Sequence, residues 1–380
     1  MRVTVTSVTA LLLAAGSWAL AIQQPGSRSF ARRLALEAEG ATSANVSIGD
    51  LNADGHLDLV LVKGRHWPLD DIVLPGDGRG GFAPAYTLGS RPDRSYSGLL
   101  VDMDGDGDLD VVVSNDTPDP KVVHLNDGRG RFTQGSTFGQ GNWSTRHVSV
   151  ADFNRDGLPD VVLANRYGNS SGPSFICFGE RGGRFAADCA AVTEGSATTI
   201  KAADVNRDGA PDLVVPHRDN GQSYVYLNDG KGRFASRRPF GPANATIRSA
   251  EPVDLDGDGL IDLAVIDEGT GPAIYRGLAD GTYAAAEPLG PRDIRPYAIA
   301  IADLDRNGRP DVIVGYVESR PVVYFNDGPR AFTAVPFGDA EGTAYGFAVG
   351  DLDEDGLLDI AMARSDARNM LYFGATRGAS

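Results

Sequence analysis

The sequence predicts an all-β protein: a seven-bladed β-propeller of four-stranded antiparallel blades, closed by an N-terminal strand that completes the last blade. Three observations predict it. A nine-residue acidic pattern recurs seven times at a near-constant step, short strand-like apolar runs flank each copy, and helical periodicity is absent throughout.

The acidic pattern is D-x-[DN]-x-[DN]-G-x-x-D. It starts at Asp50, Asp102, Asp152, Asp204, Asp254, Asp303 and Asp351, in steps of 48 to 52 residues. Before each copy lies a short alternating run, such as VSVA at 148–151, and after it a β-branched run, such as VVV at 111–113. A third apolar run ends in a Gly-rich turn: HLNDGRGRF (124–132), YLNDGKGRF (226–234) or YFNDGPRAF (324–332). A fourth begins at the closing aromatic. Four short strands separated by turn signals make one antiparallel blade.

The chain ends supply the closing strand. The last unit runs out after its third strand, at Leu371-Tyr-Phe-Gly374, while the orphan segment SFARRLAL at 29–36 matches a fourth strand. Joining the two closes a ring and leaves no exposed end blade; the alternative is an open solenoid of seven units.

The N-terminus predicts export. Arg2 precedes an apolar stretch, and Ala19-Leu20-Ala21 offers a small-x-small cleavage site before Gln23-Gln24-Pro25. Residues 1–21 are therefore expected to be a signal peptide, with a retained membrane anchor as the alternative. Residues 22–29 form a short linker and 30–378 the propeller. The expected location is secreted, extracellular or periplasmic, with no membrane span after cleavage. A monomer is expected. A net charge of −16, with no Lys/Arg run, argues against nucleic acid as a partner.

The acidic loops carry cation chemistry. Oxygen donors at alternate positions, with Gly at the sharp bend, let a short loop wrap a hard ion, and Ca²⁺ accepts six to eight such donors at flexible geometry. In the second loop the ligands would be the side chains of Asp102, Asp104, Asp106 and Asp110 and the carbonyl of Asp108. By position, the first loop offers Asp50, Asn52, Asp54 and Asp58 with the His56 carbonyl. The third offers Asp152, Asn154, Asp156 and Asp160 with Leu158, and the fourth Asp204, Asn206, Asp208 and Asp212 with Ala210. The fifth offers Asp254, Asp256, Asp258 and Asp262 with Leu260. In the sixth they are Asp303, Asp305, Asn307 and Asp311 with Arg309, and in the seventh Asp351, Asp353, Asp355 and Asp359 with Leu357. An EF-hand is excluded, because its twelfth-position carboxylate is replaced here by Leu61, Val113, Leu163, Val215, Val265, Val314 or Met362. Up to seven Ca²⁺ ions would cancel most of the −16 charge. The competing reading is a set of Asx turns that hydrogen-bond only their own backbone.

These units resemble FG-GAP/VCBS repeats, and the whole is similar to the propeller of integrin α subunits and related secreted bacterial and fungal propellers. The resemblance covers about residues 30–375. Phe138-Gly139, Phe240-Gly241 and Phe337-Gly338 match the Phe-Gly element, with Leu88-Gly89 and Leu289-Gly290 as variants. It implies Ca²⁺ at the loop positions named above. It implies no single ligand, since members include adhesion proteins, lectins and a few polysaccharide lyases or sugar dehydratases.

A partner is expected on the face opposite the acidic loops, at the mouth of the central channel. Five residues past each loop stand Lys63, Asn115, Asn165, His217, Asp267, Tyr316 and Arg364. Six residues before each loop stand Ala44, Tyr96, Arg146, Thr198, Arg248, Tyr297 and Tyr345. The two rings are expected to overlie one another, and their Arg and Tyr could bind a glycan or protein ligand, through Tyr stacking and Arg–carboxylate pairs in the glycan case. The alternative is a solvated rim. No Ser/His/Asp or Cys/His signature assigns a catalytic residue. A carbohydrate lyase or sugar dehydratase is the competing class, with His147, His217, Arg146 and Tyr345 as its candidate groups. The atypical loop Gly64-Arg-His-Trp-Pro68 is a further candidate contact. Cys177 and Cys189 fall in one unit, where export favours a disulfide. The predicted hairpin register does not set them opposite each other, so two buried thiols stay open.

Overall fold

The computed structural model describes residues 28–167, 172–219 and 221–376. The expected signal peptide, residues 22–27 of the expected linker and 377–378 of the expected propeller lie outside the described residues. Within them all regular structure is β-strand, in small antiparallel sheets, with no helix.

Five sheets have four strands each, in chain order. One comprises Ser95–Val101, Asp110–Asn115, Lys121–Asn126 and Phe132–Phe138. The next comprises Thr145–Ala151, Asp160–Asn165, Phe175–Cys177 and Ala190–Ala191. The remaining three open with Lys201–Ala203, Ile247–Val253 and Pro296–Ala302. The two terminal units share an eight-stranded sheet, joined where Ala41 pairs with Ala367 and Thr42 with Ser365. Its edge strand, Arg33–Ala35, pairs antiparallel with Met370–Tyr372.

The second strand of each unit explains the packing. Asp110–Asn115, Asp160–Asn165, Asp262–Asp267 and Asp311–Tyr316 are buried at every residue. A strand covered on both faces reads as a continuous apolar run rather than an alternating one. VVV, VVL, LAVI and VIV are such runs, and each is sandwiched between neighbouring sheets. One hydrophobic cluster fills each gap. Val60, Val62 and Val73 meet Val111, Val113 and Val122, and at the chain ends Leu59, Leu61 and Leu74 meet Ala361, Ala363 and Leu371.

Polar clasps link the sheets at the loop end. Asn126, on the third strand of its sheet, donates its side-chain amide to the carbonyl of Leu51 in the preceding unit at 2.8 Å. Asn228 reaches Phe153 at 2.9 Å and Asn326 reaches Leu255 at 2.7 Å in the same way. These are the Asn residues of the recurring LND and FND turns.

Cys177 and Cys189 form a disulfide, with Cα atoms 4.3 Å apart. The expected offset between them is corrected by the observed register. Phe175 pairs with Ala191 and Ile176 with Ala190, which sets Cys177 opposite Cys189. A separate small hairpin, Gly179–Glu180 with Arg184–Phe185, takes up the intervening residues.

Candidate functional site

The seven acidic loops lie where each first strand turns into the second. Position one holds the turn: Asp102 accepts the N–H of Gly107 at 3.0 Å, and Asp50, Asp152, Asp204, Asp254, Asp303 and Asp351 do the same for the matching Gly. That Gly has φ between +82° and +97° in all seven loops, a region closed to most side chains. Position four is also left-handed, and in five loops it is not Gly but Ala53, Arg155, Arg207, Arg306 or Glu354. Such residues carry a backbone cost.

Position nine has a structural role of its own. Asp58, Asp110, Asp160, Asp212, Asp262, Asp311 and Asp359 are all buried. In each, one carboxylate oxygen accepts the N–H of loop position two and the other an N–H at the end of the third strand. For Asp359 these donors are Leu352 at 2.9 Å and Gly374 at 2.8 Å; for Asp110 they are Met103 at 2.9 Å and Asn126 at 2.8 Å. Burial pushes these carboxyls up, against the opposing effect of the N–H donors: Asp110 and Asp160 to about 6, and Asp311 and Asp359 to about 7. Neighbouring loop carboxylates push the same way.

Several of these clusters could hold a metal ion. Asp102, Asp104 and Asp110 bring ligand oxygens within 4.8 Å of one another, as do Asp254, Asp256 and Asp258, Asp303, Asp305 and Asp311, and Asp351, Asp353 and Asp355. In the seventh loop, Oδ1 of Asp351 and of Asp353 are buried without a hydrogen-bond partner, as oxygens reserved for a cation would be. The loops are not equivalent. Arg276 sits 2.7 Å from Asp262 and 3.8 Å from Asp256 in the fifth loop. Arg28 pairs with Asp305 in the sixth, and Arg32 lies 2.6 Å from Asp353 in the seventh. No ion pair among the described residues touches the second loop's acids. The Asx-turn hydrogen bonds are also present, for example Asp106 N–H to Asp104 at 3.2 Å and Asp108 N–H to Asp106 at 3.0 Å. Position-seven residues, His56, Asp108, Leu158, Ala210, Leu260, Arg309 and Leu357, each donate their N–H to position five.

At the opposite end of the first strands is a cavity of about 270 Å³, lined from every unit, with Ala44, Tyr96, Arg146, Thr198, Arg248, Tyr297 and Tyr345 among its walls. A local irregularity aims these side chains. The first-strand register slips between Ser43 and Asn45, Ser95 and Ser97, Thr145 and His147, Ile247 and Ser249, Pro296 and Ala298, and Ala344 and Gly346. The skipped residues are Ala44, Tyr96, Arg146, Arg248, Tyr297 and Tyr345. A bulge frees one residue from the ladder and redirects it.

Guanidinium groups and phenol rings interleave there. Arg146 lies 4.1 Å from the Tyr96 ring centroid, Arg248 3.5 Å from that of Tyr297, and Arg65 4.0 Å from that of Tyr345. Tyr345 donates its hydroxyl to Tyr297 at 2.8 Å. Asp116 takes Arg146 at 2.8 Å, Glu251 takes Lys201 at 3.0 Å, and Glu268 is shared by Arg218, Arg248 and Arg295. Burial pushes the Tyr297 phenol up, but Arg248, the Tyr345 hydrogen bond, Arg218 and Arg65 outweigh it and bring the phenol below its ordinary value. His147 lines the same cavity; its burial, reinforced by Lys201, keeps the imidazole neutral, with Nδ1 unpartnered.

The two predicted rings therefore part company. Tyr96, Arg146, Arg248, Tyr297 and Tyr345 converge on the cavity, whereas Lys63, His217, Tyr316 and Arg364 do not line it. The latter belong to, or immediately follow, the buried second strands. Lys63 pairs with Glu37, the His217 ring meets the Ser196 carbonyl at 2.7 Å, Tyr316 meets Tyr324 at 2.8 Å, and Arg364 pairs with Asp339 at 2.5 Å. Sequence spacing missed Arg65, Arg218, Arg295 and Glu268, which do not line the cavity themselves but contact residues that do: Arg65 the Tyr345 ring, Arg218 and Arg295 the Tyr297 ring, and Glu268 the Arg248 guanidinium. The only signal was the atypical Gly64–Pro68 loop, which carries Arg65.

A family model described as an FG-GAP-like repeat matches residues 102–163, 204–265, 254–314 and 306–362. No curated protein matches the chain. Among solved structures, an Agrocybe aegerita lectin specific for non-reducing terminal N-acetylglucosamine is 20% identical, with a TM-score of 0.57 over 86% of this chain and 87% of its own. BBS1N, solved in complex with ARL6DN, is 13% identical, with a TM-score of 0.59 over 93% and 99%. Bacillus licheniformis rhamnogalacturonan lyase PL11 is 15% identical, with a TM-score of 0.51 over 92% and 76%. At such identities the likeness shows a propeller-like fold alone. The repeat model, by contrast, spans more than half of the sequence, and the chain belongs to the FG-GAP-like repeat family.

Proposed function

We propose that this protein is an exported, Ca²⁺-stabilised recognition module whose ligand is a glycan bound at the channel mouth. The observation that carries this reading is the convergence of Tyr96, Tyr297, Tyr345, Arg146 and Arg248 on one cavity through a repeated bulge. Tyrosine faces stack on sugar rings, and arginine edges take sugar hydroxyls or carboxylates. The seven units are read as blades of a closed ring, with Arg33–Ala35 as the fourth strand of the last; the terminal strand pairing and the Leu59–Ala361 cluster support this. Ca²⁺ in the loops would hold the opposite rim, and the buried, unpartnered oxygens of Asp351 and Asp353 support it. The disulfide supports an oxidising compartment. A glycan screen with and without Ca²⁺ tests the reading: binding is expected, and it is expected to fall in the Tyr96→Ala and Tyr345→Ala variants. Absence of any glycan ligand, charged or neutral, overturns it.

The lowered Tyr297 phenol favours a second reading, a carbohydrate lyase in which Tyr297 removes a proton beside a carboxylate held by arginine. Release of unsaturated oligosaccharide from an acidic polysaccharide, lost in Tyr297→Phe, would establish it; binding without turnover leaves the recognition module.

A further inference from the structure

The cations at the mouth are unequally satisfied. Asp116, Glu251 and Glu268, the carboxylates paired there, are engaged by other cations. Arg65 has no carboxylate partner among the described residues. Its Nη1 donates to Ser365 Oγ at 3.1 Å, and its Nε is buried with no hydrogen-bond partner. An unmet guanidinium donor is costly in a site shielded from water, and natural sites rarely keep one without a use.

The backbone around Arg65 is held in place at a cost. Arg65 has φ +55° and follows Gly64 at φ +107°. Gly64 N–H bonds to Thr42 O at 2.8 Å and Arg65 N–H to Ser95 O at 3.1 Å, so the first strand of its own unit and that of the next unit fix the loop. Left-handed strain at a non-glycine residue persists only where the surroundings over-determine it, and it clusters at ligand clamps. The Arg65 guanidinium sits over the Tyr345 ring and 6.0 Å from that of Tyr96. With one face stacked and Nε buried, the partly exposed Nη end is the part of the group that can meet a ligand, and its positive charge suits a carboxylate.

Sugar-stacking surface continues from this point. His66 contacts the Tyr96 hydroxyl at 3.0 Å, and the next residue, Trp67, is 69% exposed, the most exposed large apolar side chain among the described residues. The protein as a whole carries −16, so an anion meets net repulsion and needs a local cation to hold it.

We propose that Arg65, set between Tyr96 and Tyr345, anchors the carboxylate of a uronic acid residue, so that the ligand is an acidic polysaccharide. This deepens the glycan reading above and rests on it. Neutral units of the chain lie along Trp67 and Tyr96, and the carboxylate meets the Arg65 edge. Binding weakens as salt rises, because the attraction is partly Coulombic.

The test uses the full chain in millimolar Ca²⁺ and a panel of galacturonate, glucuronate and mannuronate oligomers. Each is paired with its methyl ester and with its carboxyl-reduced neutral counterpart, and titrations are followed by calorimetry and Trp fluorescence. At least one acid should bind about tenfold or more tighter than its ester. Arg65→Gln should erase that preference, and Arg65→Lys should retain part of it. Melting curves of both variants guard against misfolding. Equal binding of acid and ester, preference retained in Arg65→Gln, or binding of neutral sugars alone overturns the proposal and leaves the glycan reading standing. No binding by any member also overturns the proposal, and the glycan reading is then decided by the broader glycan screen above.

Discussion

Tyr345 donates its hydroxyl hydrogen to the Tyr297 oxygen at 2.8 Å, and the two rings meet edge to face with centroids 4.7 Å apart. The pair is asymmetric. Tyr297 is the acceptor and has Arg248 against its ring, whereas burial and the neighbouring Tyr297 push Tyr345 up. Two like groups in contact divide their protons unequally, and the first to ionise is the one that the cations face.

A spectrophotometric titration of the folded protein should therefore show one phenol ionising below the ordinary tyrosine range. Tyr297→Phe should remove that component, and Tyr345→Phe should shift it upward by removing the donated hydrogen bond. A wild-type titration lacking any early phenol would mean that burial outweighs the arginines.

The ninth-position aspartates should be more costly to lose than the other loop acids. Asp359→Ala leaves the N–H groups of Leu352 and Gly374 buried without acceptors, which destabilises by roughly 2–5 kcal/mol. Asp355→Ala, at an exposed loop position, should cost about 1 kcal/mol or less in chelator. Denaturant titrations in the presence of chelator separate the two, and equal losses would remove the distinction.

Without metal, stability should fall as pH rises. Asp311 and Asp359 reach about 7 when folded, against an ordinary value of 3.8, chiefly through burial. The folded form then binds more protons than the unfolded form between these values, so stability present below the unfolded pKa is lost up to about pH 7. In chelator the melting temperature should be higher near pH 5 than near pH 7.5. Ca²⁺ should reverse the slope, because it binds the deprotonated ligands. The gain from Ca²⁺ should be largest at neutral pH, and a melting curve indifferent to chelator there would remove the metal reading.

The second loop should bind its ion more tightly than the fifth. Arg276 lies against Asp262 and Asp256, whereas Asp102, Asp104 and Asp110 gather with no arginine among them. Asp104→Asn should therefore reduce the stabilisation by Ca²⁺ more than Asp256→Asn does. The reverse order in calorimetric Ca²⁺ titrations would show that Arg276 swings away at little cost.

The first loop offers a stabilising change. Ala53 is held at φ +57°, where an L side chain carries a penalty that glycine escapes. Ala53→Gly also loosens the unfolded chain, so the net gain should be only about 0.5 kcal/mol. A loss measured by denaturant unfolding would mean that the entropy term wins.

Taken alone, the sequence determined the repeat, the all-β class, the acidic loops and the ring of Tyr and Arg that line the cavity. All of these follow from local rules: strand periodicity, turn glycines, and side chains at a fixed distance from a motif. Spacing also suggested Lys63, His217, Tyr316 and Arg364, and there tertiary packing decided otherwise. A second strand covered on both faces seats its polar residues against internal partners such as Glu37, Tyr324 and Asp339. The bulges, the register that joins Cys177 to Cys189, and the arginines beside the fifth, sixth and seventh loops were equally out of reach. Each depends on which strand or loop lies alongside. Arg65 is the clearest case. In the sequence it is one basic residue in an unusual loop. Tertiary structure makes it the mouth cation without a carboxylate, because its neighbours, Ser365 and Tyr345, come from the other end of the chain.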